Sequence, residues 1–126
     1  MLAVEDNDLN AELVAMILEQ YGIEVEWAEN GRVGFEKVRD HAAGYYDAVL
    51  MDIQMPVMNG FEATKAIREI GSEYCQGLPI IAMSANAYDE DVRSCLASGM
   101  NGHIAKPFKT DELLELLSEQ IDASGR

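Results

Sequence analysis

Basic residues are scarce in this chain. Only 9 lysines and arginines stand against 23 acidic residues among 126, a formal charge of -14. DNA or RNA would approach against repulsion, so no direct nucleic-acid contact is expected. The same surplus suits a basic partner or a divalent cation, or is simply a solvated acidic surface. Cysteine is nearly absent. Cys75 and Cys95 form no C-x-x-C pair, which removes a redox motif and a zinc site from consideration and leaves the reduced thiols of a cytoplasmic protein as the expectation. Cys75 falls in a polar connection and is expected to be exposed. No apolar run approaches the roughly 20 residues of a membrane span, and the N-terminus has no basic segment followed by an apolar one. A soluble, untargeted domain without membrane contact of its own is expected. Met1 begins directly on an apolar run, which suggests a piece of a longer chain.

What is present is a core-forming composition, 48% hydrophobic, enough for one domain over residues 1–126. Its apolar pattern changes period repeatedly. Met1 to Val4 is a short apolar run closed by Glu5 and Asp6. Asn10 to Tyr21 then sets Leu13, Val14, Ile17, Leu18 and Tyr21 at helical spacing before Gly22. Ile23 to Ala28 alternates as a strand, and Arg32 to His41 carries Val33, Phe35 and Val38 on a helix. Asp47 to Asp52 gives a third strand and Phe61 to Ile70 a third helix. Polar residues 71–77 lead to a buried strand, Leu78 to Ser84, with Pro79 near its start. A fourth helix is predicted over Asp89 to Ala97, a short strand within Gly99 to Ala105, and a final helix capped by Thr110, with Leu113, Leu114, Leu116, Leu117 and Ile121 as its packing stripe. Met83, Met100 and the other methionines read as core filler.

Five strands alternating with five helices predict parallel strands joined by right-handed crossovers, with helices on both faces: a doubly wound α/β sandwich. Sites in such sheets form beyond the carboxyl ends of the strands, at the switch point. The strands end in Glu5-Asp6, Asp52, Ser84 and, after Ala105, Lys106. Each has an ordinary explanation as a cap, a turn or local hydrogen bonding. Asp52, following the apolar Ala48 to Met51, is either a strand-end cap or a site, because a bare buried carboxylate would be costly. Together they say more. Clustered carboxylates repel and call for a hard cation; Mg2+, content with one or two carboxylates plus waters and phosphate oxygens, fits a site awaiting a phosphoryl group. Lys106 adds a mobile positive charge and Ser84 a hydroxyl.

Four stretches, "AVEDN" at 3–7, "VLMDIQMPVMNG" at 49–60, "PIIAMSANA" at 79–87 and "GHIAKPF" at 102–108, resemble the receiver domain of two-component response regulators over essentially the whole chain. The opening and the "MDIQMPVMNGFEATKAIRE" run are most similar to receivers of hybrid sensor histidine kinases and phosphorelays. The resemblance implies a flavodoxin-like (βα)5 fold with strand order 2-1-3-4-5, and a phosphoacceptor module rather than an enzyme. It implies that Asp52 accepts a phosphoryl group from a phosphohistidine on a kinase or a histidine phosphotransfer domain, and later loses it slowly. Glu5, Asp6, Asp52 and the main-chain carbonyl of Gln54 would hold Mg2+, for which Mn2+ could substitute. Lys106 and Ser84 would bind phosphoryl oxygens, the Lys106–Pro107 bond would be cis, and Gln54 and Asn86 would tune the lifetime of the acyl phosphate. Phosphorylation would draw Ser84 inward and alter the surface of the predicted fourth helix, last strand and last helix, through which family members can also pair, so a monomer or weak homodimer is expected. The family's switch residue is usually tyrosine or phenylalanine; here it is His103. Two rivals remain: a haloacid-dehalogenase-like Mg2+ phosphatase, which needs an acid where Gln54 stands, and a degenerate receiver that only binds proteins.

Overall fold

Leu2–Val4 forms a three-residue strand, β1, buried at every position because both its faces carry helices. The structure, a computed structural model, describes residues 1–41, 44–53, 55, 57–84, 93, 97–105 and 109–123. After β1 come α1 (Asp8–Glu19), β2 (Glu26–Ala28), α2 (Gly31–Asp40), β3 (Val49–Asp52), α3 (Gly60–Glu69), α4 (Glu73–Gly77), β4 (Ile80–Ser84), β5 (Gly102–Ala105) and α5 (Thr110–Ala123). All strand pairs are parallel, in the order β2-β1-β3-β4-β5, as predicted. The helix predicted over Asp89 to Ala97 lies outside the described residues except for Arg93 and Ala97, which are helical.

Two apolar layers sandwich the sheet. Val4, Val49, Met51, Ile80 and Ala82 face one layer with Ala63 and Ile67 of α3; Ala3, Leu50, Ile81, Met83 and Ile104 face the other with Val14 and Leu18 of α1 and Leu113 and Leu117 of α5. This is the period-2 alternation of strands buried on both sides. The strands are shorter than predicted at their amino ends. Residues 23–25, 47–48 and 78–79 lie outside them: three-residue β1 offers β2 and β3 only Leu2, Ala3 and Val4 to pair with, and β4 begins at Ile80, opposite the first residue of β3, Val49.

Five expectations are corrected. Residues 71–77 contain a helix, α4, capped by Ser72, whose hydroxyl oxygen accepts from the Cys75 N–H at 3.1 Å. That turn rotates Cys75 inward, so the thiol predicted to be exposed is buried, and it sets the Tyr74 hydroxyl against the Tyr46 backbone. Thr110 is the first residue of α5 rather than its cap, since the Leu113 N–H already donates to the Lys109 carbonyl. In α1 the buried face is Ala11, Val14 and Leu18, while Leu13 is exposed, together with Leu9 and Met16, and Tyr21, predicted on the same helix, lies exposed beyond its end. Met16 therefore departs from the reading of the methionines as core filler, to which Met51, Met83 and Met100 conform.

Arg68 of α3 ties the lower edge together. Its guanidinium donates to the carbonyls of Cys75, Leu78 and Gly99 and to Asn101 Oδ1 at 2.7–3.1 Å, and burial lowers its pKa. On β2, the Glu26 carboxylate accepts from the Tyr45 and Tyr46 hydroxyls, both at 2.6 Å. Those bonds hold its pKa below the ordinary value.

Candidate functional site

Strand β1 stops at Val4, but its pairing runs on: the Glu5 N–H donates to the Ala28 carbonyl at 3.0 Å, and the Glu5 carbonyl accepts from Trp27 Nε1 at 2.7 Å. Held from both sides, Glu5 is buried, and its Oε1 accepts from the Asn7 N–H at 3.2 Å. The next residue, Asp6, is exposed, and Asn7 caps α1 by accepting from the Asn10 N–H at 3.1 Å. The chain thus turns sharply from strand to helix at the rim, presenting two consecutive carboxylates there.

Asp52 ends β3 one strand away and is 5% exposed. Carboxylate oxygens of Glu5, Asp6 and Asp52 lie within 4.8 Å of one another. Three negative groups so close, two of them buried, are a poor arrangement for stability alone. Oxygens around Mg2+ at about 2.1 Å stand at most about 4.2 Å apart, so a small closure or a bridging water fits this trio to that ion. An all-carboxylate donor set also selects a hard cation over a soft one.

The backbone behind Asp52 is equally constrained. Residue 53 donates its N–H to the Met83 carbonyl at 3.2 Å, and its own carbonyl accepts from the Gly60 N–H at 3.3 Å. A Cβ on Gly60 would stand 2.5 Å from the Asp52 carbonyl oxygen and 2.8 Å from Ile53 Cα, so α3 begins where only glycine fits. Asn59 and Glu62 lock that start with a reciprocal capping box. Between Asp52 and that helix start, Val57 sits at φ 70°, a left-handed conformation that a β-branched residue adopts only under strain.

Ser84 ends β4 on the same rim and is buried. Its Oγ lies 2.9 Å from His103 Nε2. The register explains the contact: Ala82 pairs with His103 and Ser84 with Ala105, so the serine and the histidine share one face of the sheet on diagonal positions. His103 also borders a cleft of about 460 Å³ whose far wall is Glu112, Glu115 and Glu119 of α5. The structure therefore gathers Glu5, Asp6 and Asp52, and joins Ser84 to His103. Gln54, Asn86, Lys106 and Pro107 lie outside the described residues, although Lys106 follows Ala105 directly at the end of β5.

Sequence reasoning missed two features here. The indole of Trp27 on the Glu5 carbonyl depends on the β1–β2 register, which no local pattern gives away. The outward apolar face of α1, with Leu9 71%, Leu13 55% and Met16 62% exposed, was visible only as surplus hydrophobic residues in a helix that needs few.

A family model described as the response regulator receiver domain matches residues 1–118. The chain is 37% identical over 123 residues to "Hybrid signal transduction histidine kinase I" of Dictyostelium discoideum, covering 96% of this chain but 7% of that far longer protein. Among solved structures, the receiver domain of sensor histidine kinase PA1611 from Pseudomonas aeruginosa, with a magnesium ion coordinated in its active-site cleft, superposes with a TM-score of 0.84 at 38% identity, over 96% of this chain and 95% of that one. A chain of the co-crystal structure of the Saccharomyces cerevisiae histidine phosphotransfer protein Ypd1 with the receiver domain of Ssk1 aligns with a TM-score of 0.83 at 29% identity, over 94% of this chain and 86% of that one. Strand order, acidic rim and sequence all lead to one conclusion: this chain belongs to the response regulator receiver domains, the phosphoacceptor modules of two-component phosphorelays.

Proposed function

We propose that Asp52 is the phosphoacceptor and that its phosphorylation by a phosphohistidine depends on Mg2+ or Mn2+. The observation that carries this reading is the trio of carboxylate oxygens within 4.8 Å, with Asp52 and Glu5 buried. Glu5, Asp6, Asp52 and the Gln54 carbonyl hold the ion, which when bound offsets the negative charge shared by the site and the incoming group. An Asp52 oxygen forms the new O–P bond as the N–P bond of the donor breaks, the electron pair remaining on the donor imidazole nitrogen. Ser84 and Lys106 bind phosphoryl oxygens, so the chain contributes positioning and electrostatic stabilisation. A cis bond before Pro107, as the resemblance implies, would aim Lys106 inward. Gln54 and Asn86 set how quickly water removes the group, giving slow self-dephosphorylation.

The donor is a histidine kinase or a histidine phosphotransfer domain. The solved complex of Ypd1 with a receiver supports the second class. The docking surface we assign to it is the exposed stripe Leu9, Leu13 and Met16, spaced at four and three residues on α1, whose first residue, Asp8, follows the acidic pair by two positions. The chain itself acts in the cytoplasm as a monomer or weak dimer, and the output surface includes β5 and α5.

Incubation with a small phosphodonor and Mg2+ tests this. The expected product carries one acid-stable, base-labile phosphoryl group that neither Asp52→Asn nor metal-free protein acquires. Continuous release of phosphate would indicate a phosphatase, and no labelling would indicate a pure binding module; either result overturns the reading.

A further inference from the structure

Ser84 serves two masters in this structure. The proposed function asks its hydroxyl to meet a phosphoryl oxygen on Asp52, yet its Oγ already lies 2.9 Å from His103 Nε2. A hydroxyl has one proton to give. When the imidazole is neutral with its proton on Nδ1, Nε2 accepts, and the Ser84 proton is committed to it. When the imidazole is protonated, Nε2 can only donate; it then fills an acceptor position on Oγ and turns the Ser84 O–H away, free for another acceptor. Histidine, with an unperturbed pKa of about 6.5, makes that exchange near neutral pH.

We propose that His103 is a positioning residue for phosphoryl transfer, acting through Ser84, and that a proton on His103 and a phosphoryl group on Asp52 are bound cooperatively. The inference rests on the phosphoacceptor reading of Asp52 and on Ser84 as a phosphoryl ligand. Geometry favours the linkage in three ways. Ser84 is buried and its hydroxyl cannot simply exchange partners with bulk water. His103 shares the face of Ser84 through the β4–β5 register, so a small movement of either strand end is felt by both. On its other side, the charged groups that line the cleft with His103, among the described residues, are Glu112, Glu115 and Glu119, all of the sign that favours imidazolium. A phosphoryl group adds a further charge of about -1.5 to -2 on the inner side. A tyrosine or phenylalanine at this position could move with Ser84 but could not exchange a proton with it near neutral pH. By linkage, whatever the proton gains from the phosphoryl group, the phosphoryl group gains from the proton.

The test uses the imidazole resonances of the whole chain, which has two histidines, His41 and His103. Both are titrated with Mg2+ alone and with Mg2+ plus beryllofluoride, binding of the mimic being read separately from its bound 19F signals. The expected result is that the His103 midpoint rises by about half a pH unit or more on addition of the mimic, while His41, at the opposite end of the sheet, keeps its midpoint. In parallel, the rate of phosphorylation by a small donor should rise as pH falls through the His103 midpoint. His103→Gln, whose amide can still bond Ser84 but cannot titrate, should be phosphorylated without that inflection. An unmoved His103 midpoint with the mimic demonstrably bound, or the same inflection in His103→Gln, overturns the proposal. Absence of bound 19F signals removes the phosphoacceptor reading itself, and the linkage with it.

Discussion

Gly60→Ala is the smallest change that reaches Asp52, the proposed phosphoacceptor. A Cβ at residue 60 would lie 2.5 Å from the Asp52 carbonyl oxygen, 2.8 Å from Ile53 Cα and 3.0 Å from Met51 Cγ. Carbon and carbonyl oxygen pack at about 3.3 Å, so the start of α3 and the end of β3 must separate by about 0.8 Å. Neither is free to do so: Gly60 N–H holds the residue 53 carbonyl, the capping box fixes the helix start, and β3 lies between β1 and β4. Overpacking of this kind costs about 1–3 kcal/mol, of which alanine's better helix propensity recovers up to about 1. The expected net loss of about 1–2 kcal/mol corresponds to a fall of about 4–8 °C in Tm. Because the displaced oxygen belongs to Asp52, the proposed phosphoacceptor, phosphorylation should slow by about ten- to a hundredfold at temperatures where the variant is fully folded. Gly77→Ala is the control, since nothing lies within 4 Å of its added Cβ. Thermal melts and labelling rates of both variants decide the matter. A Gly60→Ala protein that melts and labels like the parent would refute the claim that this close approach positions Asp52.

Three further outcomes follow from other parts of the molecule. Arg68→Met strips the donors from three backbone carbonyls and Asn101, and should cost about 2–4 kcal/mol in urea unfolding; a change under about 0.5 kcal/mol would mean water replaces the guanidinium without loss. The Glu26 carboxylate, bonded first by Tyr45 and then by Tyr46, titrates below its ordinary 4.5 in the folded chain. The stability it contributes is therefore fully present above that pH and is lost as pH falls through the folded value, so Glu26→Gln should flatten the acid limb of stability against pH, whereas parallel curves would contradict this. Trp27, the single tryptophan, bonds the Glu5 carbonyl at 2.7 Å, so its fluorescence should respond to Mg2+ in the parent and not in Asp52→Asn; a flat titration of the parent would contradict the placement of the ion.

Much of this was legible in the chain because it is local. Apolar strands that run into polar residues, "LAVED" and "VLMD", announce both the sheet and its functional rim, and parallel alternation fixes which rim that is. What escaped is non-local or very short. Helix α4 spans five residues between Gly71 and Leu78, too few for periodicity to register, and only Ser72 ahead of Glu73 hinted at a cap. The burial of Cys75 followed from that unseen turn. The bond between Ser84 and His103 requires the diagonal register of β4 and β5, which is a property of the pair of strands and of neither alone. The exposed stripe on α1 escaped for another reason: an apolar residue at helical spacing is read as core unless something shows that the core is already full, and here Ala11, Val14 and Leu18 fill it.

The central claim is that one carboxylate, Asp52, takes the phosphoryl group. Its most direct test is to phosphorylate the chain in the presence of Mg2+, reduce the acyl phosphate with borohydride and map the resulting homoserine by mass spectrometry. Homoserine at position 52 alone is the predicted result; homoserine at position 5 or 6, or a stable label on any other side chain, would contradict it.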